Sequence, residues 1–160
     1  MTNKVLNIIY NTHNEGKEKA IFLKDLILKC DKSNLFEDVT DTLKFLYKHI
    51  PLHFAYEEVV IKELLNSPNL TKEEICSMDK ILGEHEVLRV EFQKISEIAF
   101  EIEKGNKGQK EEFLKNVIDT INALAKHAEY EDQYLFPIAG AKCSDKMLST
   151  IEKEASRIVS

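Results

Sequence analysis

Four segments of this 160-residue chain place apolar residues three and four positions apart, and this spacing limits the possible folds more than any other feature. Side chains at that spacing share one face of an α-helix, so each segment predicts a helix with one apolar stripe. Turn-forming motifs, DKSN, NSPN and GNKG, separate the segments. The sequence therefore predicts an all-α fold, an up-down-up-down four-helix bundle. The stripes run through Leu6 to Ile27, Val39 to Leu64, Ile75 to Phe92 and Phe113 to Ile138.

Local signals predict where these helices begin, end or bend. Thr71 and Glu74 fit a capping box that opens the third helix. Pro51 has no amide proton to donate, so the second helix should kink there or start anew. Pro137 is placed to disturb the end of the fourth helix. A short fifth helix is predicted over Ser144 to Val159.

Composition and charge limit the classes of function. The net charge is −6, and Lys and Arg are interleaved with carboxylates, which argues against a nucleic-acid partner. No apolar run approaches the roughly 20 residues of a membrane span, and no secretory signal is visible, so we expect no membrane partner and a cytoplasmic location. The three cysteines are far apart and form no CxxC pair. Neither a disulfide framework nor a thiolate metal site is expected.

Polar residues interrupt the apolar stripes at a few positions. A carboxylate removed from water requires a partner of opposite charge, yet the stripes contain no Lys and a single Arg, Arg89. Imidazoles together with carboxylates are a normal ligand set for a metal such as iron. We therefore predict a metal site built from the other polar stripe residues. The candidate ligands are His13, His53, Glu57, His85, His127 and Glu131.

The candidate ligands also form a repeat. His13 precedes His53 by 40 residues and His85 precedes His127 by 42, and each second His opens an HxxxE motif. At about 1.5 Å of rise per residue, His13 and His53 are equally far from the turn between them and should face each other. His and Glu at positions i and i+4 project from one helix face. Two such hairpins packed together would bring carboxylates and imidazoles to two adjacent metal ions.

Other interpretations of these residues are possible. A single HxxxE motif is common on solvated helices, and a metal-free interaction bundle would require the repeated pattern to be a coincidence. His49 lies off the strict stripe, where a packed or surface imidazole is expected. Tyr56 and Tyr130 are expected to pack between helices, with a role near the site or in redox chemistry as the alternative. Glu58 and Asp132 are expected to be solvated, although either could orient the site.

From about Val5 to Pro137 the chain resembles the hemerythrin-like (HHE cation-binding) family. The resemblance rests on an early His, an HxxxEE helix, the motif GEHEVL and the closing motif HAEYEDQYLFP. The length of 160 residues fits one domain, and we predict a single hemerythrin-like domain over residues 1–160, with a core bundle of about 3–138 and a C-terminal helix of about 144–159. The resemblance implies the hemerythrin-like assignment of this domain. It also implies that the cofactor is two non-haem iron ions, with the six candidate ligands as their ligands and Glu57 and Glu131 as bridging carboxylates.

One position departs from the oxygen-carrying hemerythrins, which place a second His one turn after the third-helix ligand. This chain has Arg89 there, and a guanidinium cannot ligate a metal. The side chain could fill space, turn to the surface or hold an anion beside the cluster. Reversible oxygen carriage therefore does not transfer directly from those relatives. The E-x-x-H pair of ferritin-like di-iron enzymes is absent from the sequence.

The resemblance implies a di-iron protein that binds or senses O₂, NO or a related small ligand. The alternative is a di-iron enzyme acting on peroxide or nitric oxide, or an iron donor in iron–sulfur cluster repair. The sequence does not identify a protein partner.

Overall fold

A computed structural model describes residues 3–29 and 35–158. Within these ranges the chain forms α-helices, one short 3-10 helix at Lys107–Gln109 and no strand, which confirms the prediction of an all-α bundle. The DKSN turn lies outside the described residues. None of the described helices has the length and hydropathy of a membrane span. The helices are α1 Lys4–Lys29, α2 Leu35–Leu65, α3 Lys72–Glu103, α4 Lys110–Gln133, α5 Leu135–Lys142 and α6 Asp145–Ala155.

The four long helices pack in a closed ring, with α1 against α2, α2 against α3, α3 against α4 and α4 against α1. Two apolar clusters fill the ring. The first is formed by the second half of α1, the first half of α2, the second half of α3 and the first half of α4, and includes Leu23, Leu43 and Phe113. The second is formed by the first half of α1, the end of α2 and the start of α3, together with α5 and α6, and includes Leu6 and Leu64. Each fully buried side chain of this size contributes about 1.5–3 kcal/mol, so both clusters stabilise the bundle.

Two local predictions concern the ends and the continuity of helices. The capping box is confirmed, because the Glu74 amide donates to Thr71 Oγ1 at 3.1 Å and the Thr71 amide donates to Glu74 Oε1 at 2.9 Å. Helix α2 runs without interruption through Pro51, so it does not start anew there. Ile50 and Phe54, on either side of this proline, are buried. Their packing holds the helix together across the missing hydrogen bond.

The predicted apolar stripe of the third helix, Ile75, Met78, Leu82, His85, Arg89 and Phe92, is confirmed only in part. Met78, His85 and Phe92 are buried, whereas Ile75 is 38% exposed and Leu82 and Arg89 are only partly buried. Apolar residues flank His85 on both sides at helical spacing, so the sequence fits two stripes and only packing against α2 and α4 selects one. The buried face of α3 runs through Met78, Ile81, His85, Leu88, Phe92, Ile95, Ala99 and Ile102.

The fourth helix ends at Gln133, and a separate short helix that the sequence did not predict follows it. Pro137 cannot donate to the carbonyl of Gln133, so the α4 ladder cannot continue through it. In α5 this proline occupies the first turn, where amide protons have no partner within the helix. The predicted fifth helix appears as α6, which Ser144 caps by accepting from the Met147 amide.

Candidate metal centre

The structure brings all six candidate ligands together in the middle of the bundle, between the two apolar clusters. Helices α1 and α3 contribute one imidazole each, and α2 and α4 each contribute an imidazole and a carboxylate. All six side chains are buried, with at most 6% of any residue exposed. The buried residues are His13, His53, Glu57, His85, His127 and Glu131.

These residues form two groups with the dimensions of a metal site. Four possible ligand atoms, one from each residue of a group, lie within 4.8 Å of one another in both cases. The same two carboxylates belong to both groups, while the imidazoles differ. The first group contains His13 and His53 with Glu57 and Glu131, and the second contains His85 and His127 with the same two glutamates.

Unpaired polar atoms in this cluster show that a cation fits it. Both carboxylate oxygens of Glu57, Oε2 of Glu131 and Nε2 of His85 and His127 are buried without a hydrogen bond to any described residue. Buried polar atoms without partners cost about 1–3 kcal/mol each, so native proteins rarely leave several together. A metal ion in each group would coordinate these atoms, and imidazole with carboxylate suits iron.

Three of the four imidazoles are oriented by a bond on the side away from the cluster. The Nδ1 atom of His53 lies 2.7 Å from Thr12 Oγ1, and that of His127 lies 3.0 Å from Glu84 Oε1. The Nδ1 atom of His85 lies 2.9 Å from Glu58 Oε2. Such bonds fix the ring so that Nε2 faces the centre.

His13 has the opposite ring orientation. Its Nδ1 atom faces the cluster, 3.5 Å from Glu131 Oε1, and its Nε2 atom lies 3.0 Å from Asp132 Oδ1. The expectation that Glu58 and Asp132 are merely solvated is therefore wrong. Each of these half-buried carboxylates contacts an imidazole of the hairpin to which it does not belong. This agrees with the alternative interpretation, that they orient the site.

The structure extends the repeat to residues that the sequence analysis missed. Thr12 and Glu84 each precede the upstream His of a hairpin and bond the downstream imidazole of the same hairpin. The sequence signal for these two residues is their equal position, one residue before His13 and one residue before His85. The two side chains differ in charge, because Thr12 carries a hydroxyl group and Glu84 a carboxylate.

Arg89 lies at the edge of the cluster and turns toward a carboxylate. Its Nη2 atom donates to Glu58 Oε1 at 2.7 Å, and its guanidinium is partly exposed. Lys17 holds the equivalent position in the other hairpin, with Nζ 2.7 Å from Asp132 Oδ2. Each cation lies one helical turn after an imidazole, and it binds the carboxylate that contacts that same imidazole.

His49 stacks on Phe45 at 4.0 Å and belongs to neither ligand group, as expected for a packed imidazole.

Without metal, the carboxylates around His85 favour its protonated form. Burial lowers the pKa of His85, but the three nearby carboxylates of Glu131, Glu57 and Glu58 outweigh burial and raise this pKa to about 10. Burial likewise opposes the shift at Glu58, where bonds from His85 and Arg89 lower the pKa to about 2. Imidazolium protons therefore supply part of the positive charge that metal ions would supply, and metal binding must release them.

These shifts predict how the stability of the metal-free protein depends on pH. The raised pKa of His85 stabilises the fold fully below its ordinary value of 6.5, and this contribution is lost as pH rises toward 10. The lowered pKa of Glu58 stabilises the fold above 4.5, and its contribution is lost as pH falls toward 2. We expect the melting temperature of metal-free protein to fall by several degrees between about pH 6 and about pH 9. Thermal unfolding followed by circular dichroism in a chelating buffer measures this.

Two variants make the pH measurement specific. His85→Asn should reduce the decline, because it removes the imidazole whose pKa is raised to about 10, while His13 and His127, whose pKa values are also raised, remain. His49→Asn should leave the decline in place, since His49 lies outside the cluster. A melting temperature of the unmodified protein that is constant over this range would contradict the prediction.

Comparison with known protein families gives one match. The profile of the hemerythrin HHE cation binding domain matches residues 5–139, which include all six buried histidines and glutamates of the cluster. No significant match was found among curated proteins or solved structures. A match over most of the chain is sufficient to assign the family. The chain therefore belongs to the hemerythrin HHE cation-binding domain family.

Proposed function

We propose that this protein holds two non-haem iron ions and binds a small ligand such as O₂ or NO at that centre. One observation carries the proposal: the two groups of possible ligand atoms share both of their carboxylates. In this arrangement Glu57 and Glu131 would be shared by both ions, His13 and His53 would hold one ion, and the remaining two imidazoles would hold the other. Iron is favoured over other metals by the imidazole and carboxylate donors and by the family.

The number of ligand residues supports a binding function. Each ion would have two imidazoles and the two shared carboxylates, with no further candidate ligand in either group. Non-haem iron sites with few protein ligands keep positions open for a small molecule. The iron ions supply a place for such a molecule to coordinate and to exchange electrons.

The surrounding residues of the chain control the properties of that site. Apolar clusters lie above and below it and lower the local dielectric constant, which strengthens electrostatic interactions inside the bundle. Thr12, Glu58 and Glu84 fix the orientation of three imidazoles. Arg89 neutralises Glu58 and stands outside both ligand groups, so it orients the site through Glu58 without contacting a metal.

Metal loading and ligand titration test this function. Protein loaded anaerobically with Fe(II) and desalted should retain about two irons per chain, as two ligand groups require. NO added to this sample should then change its visible and electron paramagnetic resonance spectra, saturating at a fixed ratio of NO to protein. Zn(II)-loaded protein is the control, since zinc fills N and O ligand sets without redox chemistry.

Four results would count against the proposal. Retention of much less than one iron per chain would exclude the centre, and unchanged spectra with NO would exclude ligand binding at it. Sustained catalytic consumption of peroxide or NO would favour the alternative prediction, an enzyme. The further alternative of iron donation predicts rapid loss of iron to an acceptor.

A further inference from the structure

A cavity of about 220 Å³ lies between α1, α2 and α4, beside the half of the centre that contains His13 and His53. It is continuous with the surface, because Ile21, which is 63% exposed, and the exposed Lys24 also line it. The cavity therefore extends from the solvent to buried residues of the candidate metal centre. Both Glu131 and His127 form part of its lining.

The walls of this cavity are mainly apolar. Gly16 and Ala20 of α1, Ile50 and Phe54 of α2, and Leu124 and Ala128 of α4 line it between the surface and the centre. Lys17, Lys24, Asn122 and Glu129 also line it, and Lys17 is paired with Asp132. A charged molecule would lose hydration along the apolar side chains, whereas a small uncharged molecule loses little. The walls thus favour uncharged molecules.

Residues of the candidate centre close the inner end of the cavity. Its lining there consists of His13, His53, His127 and Glu131. A water molecule takes up about 30 Å³ in the liquid, so the cavity exceeds the volume of one diatomic molecule several times. Its size fits a passage better than a site shaped around a single ligand.

Gly16 of α1 forms part of the wall of this cavity. A Cβ atom at this position would lie 3.9 Å from Ile50 Cδ1, an ordinary contact, so close packing does not require a glycine here. Glycine inside a helix is also less favourable than alanine, which makes its presence in the middle of α1 a cost to the fold. A larger side chain at this position would extend into the cavity.

We propose that this cavity is the route by which a small uncharged ligand reaches the centre from solvent, arriving at the His13 and His53 half. The inference rests on the proposed function, since it concerns the ligand of that centre. It adds the direction of entry, the residue that controls entry and the charge class of the ligand.

Blocking the passage tests the proposal. In Fe(II)-loaded Gly16→Leu protein, the rates of NO association and dissociation measured by stopped-flow should both fall about tenfold or more, because the same barrier lies on both paths. The equilibrium affinity for NO and the iron content should stay unchanged. Gly83→Leu is the matched control, since Gly83 is also inside a helix with nothing within 4 Å of its Cβ position, and it lies outside this cavity.

A second variant narrows the same cavity and keeps the route testable if Gly16→Leu does not fold. Ala125 is exposed and lines the cavity, so Ala125→Leu narrows the route without entering the core and should also slow NO. Wild-type rates in either variant with full iron content would overturn the route while leaving the centre intact. Lack of iron in the unmodified protein would instead overturn the proposed function, and the route with it.

A charged probe tests the class of ligand. Azide binding to the oxidised protein should be slow compared with NO binding to the reduced protein, because the apolar walls do not solvate an anion. Lys24→Gln, at the exposed end of the cavity, should not alter the rate for NO. Azide entry as fast as that of NO, and slowed by Lys24→Gln, would show that the route takes anions and would overturn this part of the proposal.

Discussion

Replacing Glu131 by Gln should prevent the binding of both ions of the proposed centre, whereas replacing His13 by Ala should prevent the binding of only one. Glu131 belongs to both groups of possible ligand atoms, and His13 belongs to one. The amide keeps the size of the side chain but removes the charge that two cations share, so both sites lose affinity. We expect iron content to fall from about two per chain to near zero in Glu131→Gln and to about one in His13→Ala. Mass spectrometry of metal content after loading and desalting measures this.

The control for this experiment removes the same charge elsewhere on the same helix. Asp119 is exposed on α4 and lies outside both groups, so Asp119→Asn should retain full iron content. Glu57→Gln should reproduce the loss seen with Glu131→Gln, because Glu57 is the second shared carboxylate. Retention of one tightly held iron in both glutamine variants would show that the carboxylates do not bridge.

Iron loading should raise the melting temperature of the unmodified protein by about 10 °C. A ligand present at about 1,000 times its dissociation constant stabilises the folded state by about 4 kcal/mol, and a chain of this length gains about 2–4 °C per kcal/mol. The physical source is the set of buried atoms without partners on Glu57, Glu131, His85 and His127. Calorimetry with Fe(II) and with a chelator, at one pH, measures the difference.

Variants connect this stabilisation to the cluster. Glu131→Gln should show no increase with iron, and His13→Ala an increase of intermediate size, following their metal contents. Asp119→Asn should behave as the unmodified protein. An equal melting temperature with and without iron, in protein shown to hold two irons, would place the bound metal outside the core.

The sequence allowed the helices to be predicted because their signals are local. Three-four spacing of apolar residues follows from helix geometry, and the capping box of Thr71 and Glu74 depends on residues only three positions apart. The cluster was visible for a related reason. Histidine and glutamate on apolar stripes are costly to bury without a partner, so their position alone indicated that they meet one another.

Other features depend on which helices face each other. The buried face of α3 was ambiguous in sequence, since apolar residues lie at helical spacing on both sides of His85, and contacts with α2 and α4 select one face. The break at Tyr134 could be placed only approximately from Pro137, because the helix can end at any of several preceding residues.

By itself, the sequence determined the helices, the level of the cluster along the bundle and the six side chains that meet there. The tertiary structure alone decided their surroundings: Glu58 bonds to His85, Asp132 lies against His13, and Arg89 binds Glu58. These contacts join different helices, and the spacing of residues within one helix does not predict them. A hydrogen bond between helices requires two side chains to meet within about 3 Å. The spacing within a helix predicts which way a side chain points, but only the packing of all four helices sets its distance from a side chain on another helix.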